Sequence, residues 1–145
     1  PYTERWQIKK LADGFLKIGV DFVVLCNSWP LGCVVDYEKE SLVIRPNQGI
    51  GGLGGKFFKN MVLGQVRLFY QVFKGRVKIV GVGGVSSGRD VYEYALVGAN
   101  AVQIGSGLLA EGIGIFGGIK TELLEILKEK GINSVEERVG KVKAV

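Results

Sequence analysis

The sequence predicts an α/β fold built around a parallel sheet. Short apolar runs typical of buried strands alternate with amphipathic stretches, and three successive helix–strand steps recur at the spacing of α/β units. Glycine accounts for 23 of the 145 residues, and the glycines cluster where predicted strands end. This clustering indicates sharp backbone turns and not a low-complexity linker. We expect a single domain over residues 1–145.

The first third of the chain predicts a helix, a strand and a hairpin. Apolar residues at helical spacing, separated by charged ones, predict a helix over residues 3–18 that ends at Gly19. The valine-rich run 20–25 is typical of a strand buried on both faces of a parallel sheet. The apolar runs 34–36 and 42–44 flank a polar turn and predict a β-hairpin excursion.

The rest of the chain alternates helices and strands. The predicted elements are helices over residues 60–73, 89–97 and 113–130 and strands over residues 77–80 and 101–104. Gly131 follows the last helix and is expected to end it, because glycine tolerates the left-handed conformation of a helix C-terminus.

Charge and residue usage exclude several classes of function. The chain has 19 basic and 14 acidic residues, a net charge of +5, without a run of five basic residues, so we expect a small anion as ligand and no nucleic acid. It has no histidine, which excludes His-ligated metal sites and His-dependent triads, and we expect no metal. The spacing of Cys26 and Cys33 fits no metal or redox motif and favours a reducing, intracellular compartment. We expect no transmembrane helix and no signal peptide.

The most informative segment is KIVGVGGVSSGRD, residues 78–90. A predicted strand ends there in three glycines just before a helix, which leaves backbone N–H groups unobstructed beside a helix N-terminus. The segment AVQIGSG, residues 101–107, repeats the arrangement, and no acidic residue occurs within residues 77–89 or 101–110. One such turn could serve backbone geometry alone, whereas two in succession favour a phosphate site, as at the last strands of (β/α)₈ barrels.

Two other segments leave alternatives open. Asn27 and Ser28 follow the strand 20–25 and offer hydrogen-bond donors and acceptors, either to a substrate or merely to a turn. Cys26 has no base beside it in sequence, which favours a wall residue over a nucleophile. The segment GIGGLGGK, residues 49–56, is either a flexible loop or a close approach of backbone to a flat ring.

The ordered motifs strongly resemble dihydroorotate dehydrogenases. Those that carry the resemblance are NS, GCVVDYEKESLVIRP, GIGGLGGK, GVGGVSSGRD and GANAVQIGSGLLAEG, and GGLGGK is similar to the soluble, fumarate-using class 1A branch. The resemblance runs over residues 1–143 and covers about the second half of the family's barrel. It implies an α/β fold that is the C-terminal half of a (β/α)₈ TIM barrel with a β-hairpin excursion.

The resemblance also implies a flavin site whose cofactor is FMN. The implied phosphate-binding residues are Gly83, Gly84, Gly105 and Ser106, the implied flavin contacts are Gly55 and Cys26, and the implied orotate-binding pair is Asn27 and Ser28. No catalytic residue is assigned, because the family's base, a cysteine, belongs to the first half of the barrel. Neither Cys26 nor Cys33 matches the position of that base.

The activity that the resemblance implies is oxidation of dihydroorotate to orotate in pyrimidine biosynthesis, in the cytoplasm, by a homodimer, with fumarate as electron acceptor. The sequence departs from the family pattern where Trp29, Pro30 and Leu31 stand in place of Ile-Gly-Asn, and where Asn60 replaces a proline. These departures leave two alternatives open. One is another FMN-dependent barrel oxidoreductase with a different planar substrate, and the other is a non-catalytic half-barrel.

Overall fold

The computed structural model describes residues 4–45 and 47–143. The helices are α1 (Arg5–Ile18), α2 (Lys59–Phe73), α3 (Gly88–Val97), α4 (Ser106–Glu111) and α5 (Ile115–Glu129). The strands are β1 (Phe22–Leu25), β2 (Trp29–Gly32), β3 (Val35–Asp36), β4 (Ser41–Leu42), β5 (Gly51–Leu53), β6 (Lys78–Val82) and β7 (Ala101–Gln103). Single 3-10 turns lie at Asn47–Gly49, Lys56–Phe58 and Val135–Arg138. Thr3, where the first helix was predicted to begin, and Pro46 of the LVIRP motif lie outside the described residues.

The main sheet is parallel, as predicted, with strand order β1-β6-β7. Val80 of the central strand pairs with Val24 on one side and with Ala101 on the other. Ile79 is fully buried between the sheet and the helices, and the largest fully buried side chains come from α2, β6 and α3. The α/β prediction is therefore confirmed for this sheet and its covering helices.

The prediction that the first strand is buried on both faces is wrong. Val23 and Leu25 of β1 are buried, whereas Phe22 and Val24 are 58% and 44% exposed. Side chains alternate between the two faces of a strand, and within the described residues only the Val23 face joins the core. The sequence could not show which face is covered, because both are apolar.

The excursion between β1 and α2 is more ordered than the sequence predicts. The hairpin is confirmed, with β3 and β4 antiparallel and Val35 opposite Leu42. The glycine-rich segment 49–55, however, is not only a loop: its residues Gly51–Leu53 pair antiparallel with β2, with Trp29 opposite Leu53. A Cβ at Gly32 would collide with the Leu53 side chain, so this pairing depends on glycine.

The helices lie close to their predicted bounds. Val62, Val66, Phe69 and Phe73 form the buried stripe of α2, as their spacing indicates. Gly131 adopts a φ of 63° and donates its N–H to the carbonyl of Lys128, which confirms that it ends α5. The short helix α4 was not predicted. Among the described residues no helix has the length and apolar character needed to cross a membrane.

Candidate functional site

A cavity of about 170 Å³ lies where the three parallel strands end. Parallel strands bring their carboxyl ends to one edge of a sheet, and this edge is where ligands bind in α/β folds. All eight residues singled out in the sequence line this cavity: Cys26, Asn27, Ser28, Gly55, Gly83, Gly84, Gly105 and Ser106. The structure thus brings together segments that are up to 80 residues apart in the sequence.

The turn after β6 has a shape that only glycine allows. Gly84 has a φ of 68°, in the left-handed region that side chains other than glycine rarely adopt. A Cβ at Gly83 would lie 2.7 Å from a methyl carbon of Val62. The fully buried Tyr94 of α3 donates its hydroxyl to the Gly83 carbonyl at 2.7 Å and so connects the turn to that helix. This bond directs the Gly83 carbonyl toward α3. The turn meets the cavity with Gly83 and Gly84.

A buried carboxylate shapes the next part of the same turn. Asp90 accepts hydrogen bonds from the Ser86 amide at 2.9 Å and from the Ser86 hydroxyl at 3.2 Å. Its own amide donates to the Ser87 hydroxyl at 3.1 Å, which caps α3. Burial by itself would raise the pKa of the Asp90 carboxyl, but hydrogen bonds from Lys59 and Ser86 hold that pKa below its ordinary value. Asp90 is therefore charged at neutral pH.

The N-terminus of α3 is already occupied, which corrects the expectation that it faces the anion. Glu122 of α5 accepts the Gly88 amide at 2.7 Å and the Arg89 amide at 3.3 Å. A carboxylate at the first amides of a helix satisfies them and complements the helix dipole. Any anion at the cavity must therefore use the amides of the turns themselves. The two turns carry no acidic residue in sequence, yet two carboxylates accept backbone amides at the end of the first: Asp90 that of Ser86 and Glu122 that of Gly88.

The turn after β7 offers the second set of backbone groups. Gly105 precedes α4, which begins at Ser106 without a side-chain cap. A Cβ at Gly105 would meet no heavy atom within 4 Å, so the backbone there is open to a ligand. At Gly107 a Cβ would lie 3.0 Å from the Val85 carbonyl, which shows that the two turns are packed together.

The residues that follow β1 form the third side. The Cys26 amide donates to the Val82 carbonyl at 3.4 Å and extends the strand pairing by one residue. The Ser28 amide donates to Oδ1 of Asn27 at 2.9 Å, and both side chains are exposed at the cavity. The Cys26 thiol is half-buried, and burial raises its pKa, which disfavours the nucleophilic thiolate. Cys26 therefore has the properties of a wall residue.

Sequence reasoning missed an aromatic wall and a buried amide. Trp29 stacks on Phe58 with ring centroids 6.2 Å apart and planes 15° apart, and both line the cavity. Gln65 also lines it and is only 7% exposed. A signal for Gln65 was present, because it stands between Val62 and Phe69 on the apolar stripe of α2. The aromatic pair had no such signal, because it depends on the fold of the excursion.

The loop after Ser28 shows how the chain accommodates its departure from the family pattern. Pro30 lies in β2, and Leu31 takes the positive φ, 64°, a conformation that a leucine adopts at some cost. The Leu31 side chain is 81% exposed. Of the unusual residues only Trp29 lines the cavity, beside Asn27 and Ser28.

No charged side chain is among the described residues that line the cavity. Likewise, residues 4–45 and 47–143 contain no group of three Cys, Asp or Glu side chains that could hold a metal ion. The polar groups that line the cavity are thus neutral: backbone amides, hydroxyls and the side-chain amides of Asn27 and Gln65. Such groups suit a ligand recognised by hydrogen bonds and a flat apolar face.

Comparisons with known proteins agree on one family. The family model described as "Dihydroorotate dehydrogenase" matches residues 1–127. A relative from Kluyveromyces lactis, "Dihydroorotate dehydrogenase (fumarate)", is 41% identical over 145 residues, 100% of this chain and 46% of the relative. Another from Enterococcus faecalis, "Probable dihydroorotate dehydrogenase A (fumarate)", is 40% identical over 143 residues, 99% of this chain and 46% of the relative.

The solved structure of ligand-free DHODH from Eimeria tenella is similar with a TM-score of 0.78 and 29% sequence identity. That similarity covers 96% of this chain and 37% of the other. The chain thus spans about half the length of the curated relatives it matches.

Proposed function

Because this chain belongs to the dihydroorotate dehydrogenase family, we propose that it forms the C-terminal half of a (β/α)₈ barrel that oxidises dihydroorotate to orotate. In that barrel it supplies the FMN phosphate site and part of the substrate site of an enzyme of pyrimidine biosynthesis. One observation carries the proposal: three parallel strand ends bring the eight family-matched residues to one cavity.

The residues present fit the phosphate of FMN. The turn at Gly83 and Gly84 has room only for backbone on its inner side, and Gly105 is open. Ser106 adds a hydroxyl beside those amides. Neutral N–H groups in two adjacent turns can bind a dianion without a cation, because the dipoles of several backbone N–H groups together make an anion-binding concavity. The cavity, about 170 Å³, is smaller than the roughly 300–1,000 Å³ of a complete ligand site, so these residues would enclose one part of the cofactor.

The flavin ring would lie against Gly55 and Cys26. Gly55 lines the cavity with backbone alone, because glycine has no side chain. Its φ of 122° is one that other residues rarely adopt. FMN supplies the hydride-accepting chemistry when bound. Asn27 and Ser28 would bind and orient the substrate, since their amide and hydroxyl groups complement a ring with alternating N–H and C=O groups. The described residues that line the cavity include no carboxylate or lysine, and burial raises the pKa of the Cys26 thiol, which disfavours its thiolate.

Fumarate is the electron acceptor we propose, and a homodimer is the assembly we propose. Support for fumarate comes from the GGLGGK element and from relatives whose names include "(fumarate)". Sizing the purified protein tests the dimer. Following flavin reoxidation with and without fumarate tests the acceptor.

Flavin binding is the direct test of the phosphate site. The chain is co-produced with the amino-terminal half of the Kluyveromyces lactis relative, and bound flavin is read from its absorbance. We expect FMN to bind and Gly84→Ala to weaken it at least about tenfold, because the left-handed φ and the packed Cβ position both disfavour alanine. Gly64→Ala is the matched control, since a Cβ there meets nothing within 4 Å. A colourless wild-type assembly would refute the assignment.

A second candidate is an FMN-dependent oxidoreductase with a different planar substrate. The aromatic wall of Trp29 and Phe58 favours it, because a stacked pair adds a flat apolar surface beside Asn27 and Ser28. Flavin reduction by dihydroorotate and by uncharged dihydropyrimidines separates the two. Faster reduction by dihydropyrimidines, lost in Trp29→Ile, would establish this candidate in place of the first.

A further inference from the structure

The turn at Gly83 and Gly84 is packed directly against the segment 55–59. A Cβ at Gly84 would lie 3.0 Å from the Gly55 carbonyl oxygen and 3.0 Å from the Cβ of Lys59. The same Gly55 carbonyl accepts the Phe58 amide at 3.1 Å, at the 3-10 turn that leads into α2. A shift of either turn would therefore move the other.

An ion-pair cluster lies behind this contact. The Lys59 ammonium donates to Oδ1 of Asp90 at 2.6 Å and lies 2.8 Å from Oε2 of Glu93. Arg89 completes the cluster with its Nε 2.9 Å from Oε1 of Glu93. The Lys59 and Asp90 side chains are only 21% and 9% exposed, so water and salt screen this pair far less than a surface pair.

The cluster is connected to the backbone of the turn. One carboxylate oxygen of Asp90 accepts a hydrogen bond from the Lys59 ammonium, and the other accepts hydrogen bonds from the Ser86 amide and hydroxyl. The Asp90 carboxylate thus bridges Lys59, at the start of α2, and the turn at residues 83–87. Lys59 itself is not among the residues that line the cavity.

We propose that Lys59 is a positioning residue that clamps the turn at residues 83–87 to the first turn of α2 through Asp90. The clamp sets the spacing between the amides of Gly83 and Gly84 and the backbone of Gly55. This inference rests on the proposed function, in which the first pair binds the phosphate and Gly55 adjoins the flavin. It assigns to Lys59 a role in cofactor affinity without any contact to the cofactor.

Amide hydrogen exchange on the whole chain tests the clamp without a ligand. In Lys59→Met we expect exchange at residues 83–87 to accelerate at least roughly tenfold, since the charge that holds Asp90 is lost. Lys59→Arg keeps a donor of the same charge and should restore most of the protection. Lys9→Met is the matched control, because it removes the exposed Lys9–Asp13 pair of α1. If Lys59→Met does not fold, Asp90→Asn, which keeps shape and removes charge, takes its place.

FMN and riboflavin titrations on the same variants distinguish this proposal from the proposed function. The two ligands differ only in the phosphate, so we expect Lys59→Met to weaken FMN roughly tenfold and riboflavin less than about twofold. Unchanged exchange together with unchanged FMN affinity would overturn the clamp. The titrations use the assembly with the amino-terminal half of the Kluyveromyces lactis relative. Faster exchange together with a wild-type assembly that binds no FMN would support the clamp and overturn the flavin assignment. Equal weakening of FMN and riboflavin would also overturn the clamp, because the phosphate turn would not be its target.

Discussion

Replacing Tyr94 with phenylalanine tests how the turn after β6 is held. The Tyr94 side chain is fully buried, and its hydroxyl makes a 2.7 Å hydrogen bond to the Gly83 carbonyl. A net hydrogen bond contributes about 0.5–1.5 kcal/mol, and a stranded buried acceptor costs about 1–3 kcal/mol. Gly83 is half-buried at the cavity, where water can partly replace the hydroxyl, so we expect a loss of about 1–2 kcal/mol.

Urea unfolding followed by tryptophan fluorescence measures this loss. In a thermal melt of the same variants, a loss of about 1–2 kcal/mol corresponds, for a chain of this length, to a decrease in Tm of roughly 3–8 °C. Tyr92→Phe is the matched control, because it removes a hydroxyl from the same helix while keeping the ring beneath the Lys130 ammonium. Equal stability of Tyr94→Phe and the wild type would refute the argument that this bond holds Gly83.

The same hydroxyl has a signature at alkaline pH. Burial raises the pKa of Tyr94 far above its ordinary value of about 10, so the folded protein retains a proton that the unfolded chain releases. Stability from this group is complete below pH 10 and is lost as the pH rises further. Above pH 10 we expect the wild type to lose up to about 1.4 kcal/mol per pH unit more than Tyr94→Phe does. Parallel pH profiles would contradict this expectation.

Three further outcomes are expected. Gly88→Ala places a Cβ 2.8 Å from the Ile119 carbonyl oxygen, so urea unfolding should show about 1–3 kcal/mol of destabilisation; an unchanged midpoint would mean that α3 and α5 can separate freely. The pKa of Asp90 is lowered in the folded protein, so its stabilisation is present above about pH 4 and is lost as the pH falls through its folded pKa. Asp90→Asn should therefore flatten the acid side of the profile of unfolding free energy against pH. A profile parallel to that of the wild type would count against the buried pair. Peptide mapping after brief alkylation at pH 7.5 should show the exposed Cys33 modified before Cys26, because burial raises the pKa of the Cys26 thiol; the reverse order would contradict its role as a wall residue.

The sequence predicted the helices and the main strands because their signals are local. The spacing of Val62, Val66 and Phe69 defines the buried face of α2 without reference to any other element. The pairing of β2 with β5 could not be predicted in this way, because it depends on Leu53 lying over Gly32 across the excursion. Pairing between distant segments is set by tertiary contacts, which override local preference.

The candidate site was predicted to a similar extent. Parallel strand ends meet at one edge, so residues that end strands could be placed together before the structure was known. Their roles in binding stay predictions. The capping of Gly88 by Glu122, thirty-four residues along the chain, could not be read from sequence, and it removes the α3 amides from the anion site. Trp29 and Phe58 likewise meet only after the excursion has folded.

The long segment between β1 and β6, which includes the excursion and α2, also determines how the chain can fold. Phe22 pairs with Lys78, fifty-six positions away, whereas Val80 pairs with Ala101, only twenty-one positions away. Closing the longer loop costs about 0.9 kcal/mol more in chain entropy, so β6 and β7 should assemble first and β1 should dock late. Pulse-labelled exchange during refolding would then show protection of the Asn100 amide, which donates to Ile79, before protection of the Cys26 amide, which donates to Val82.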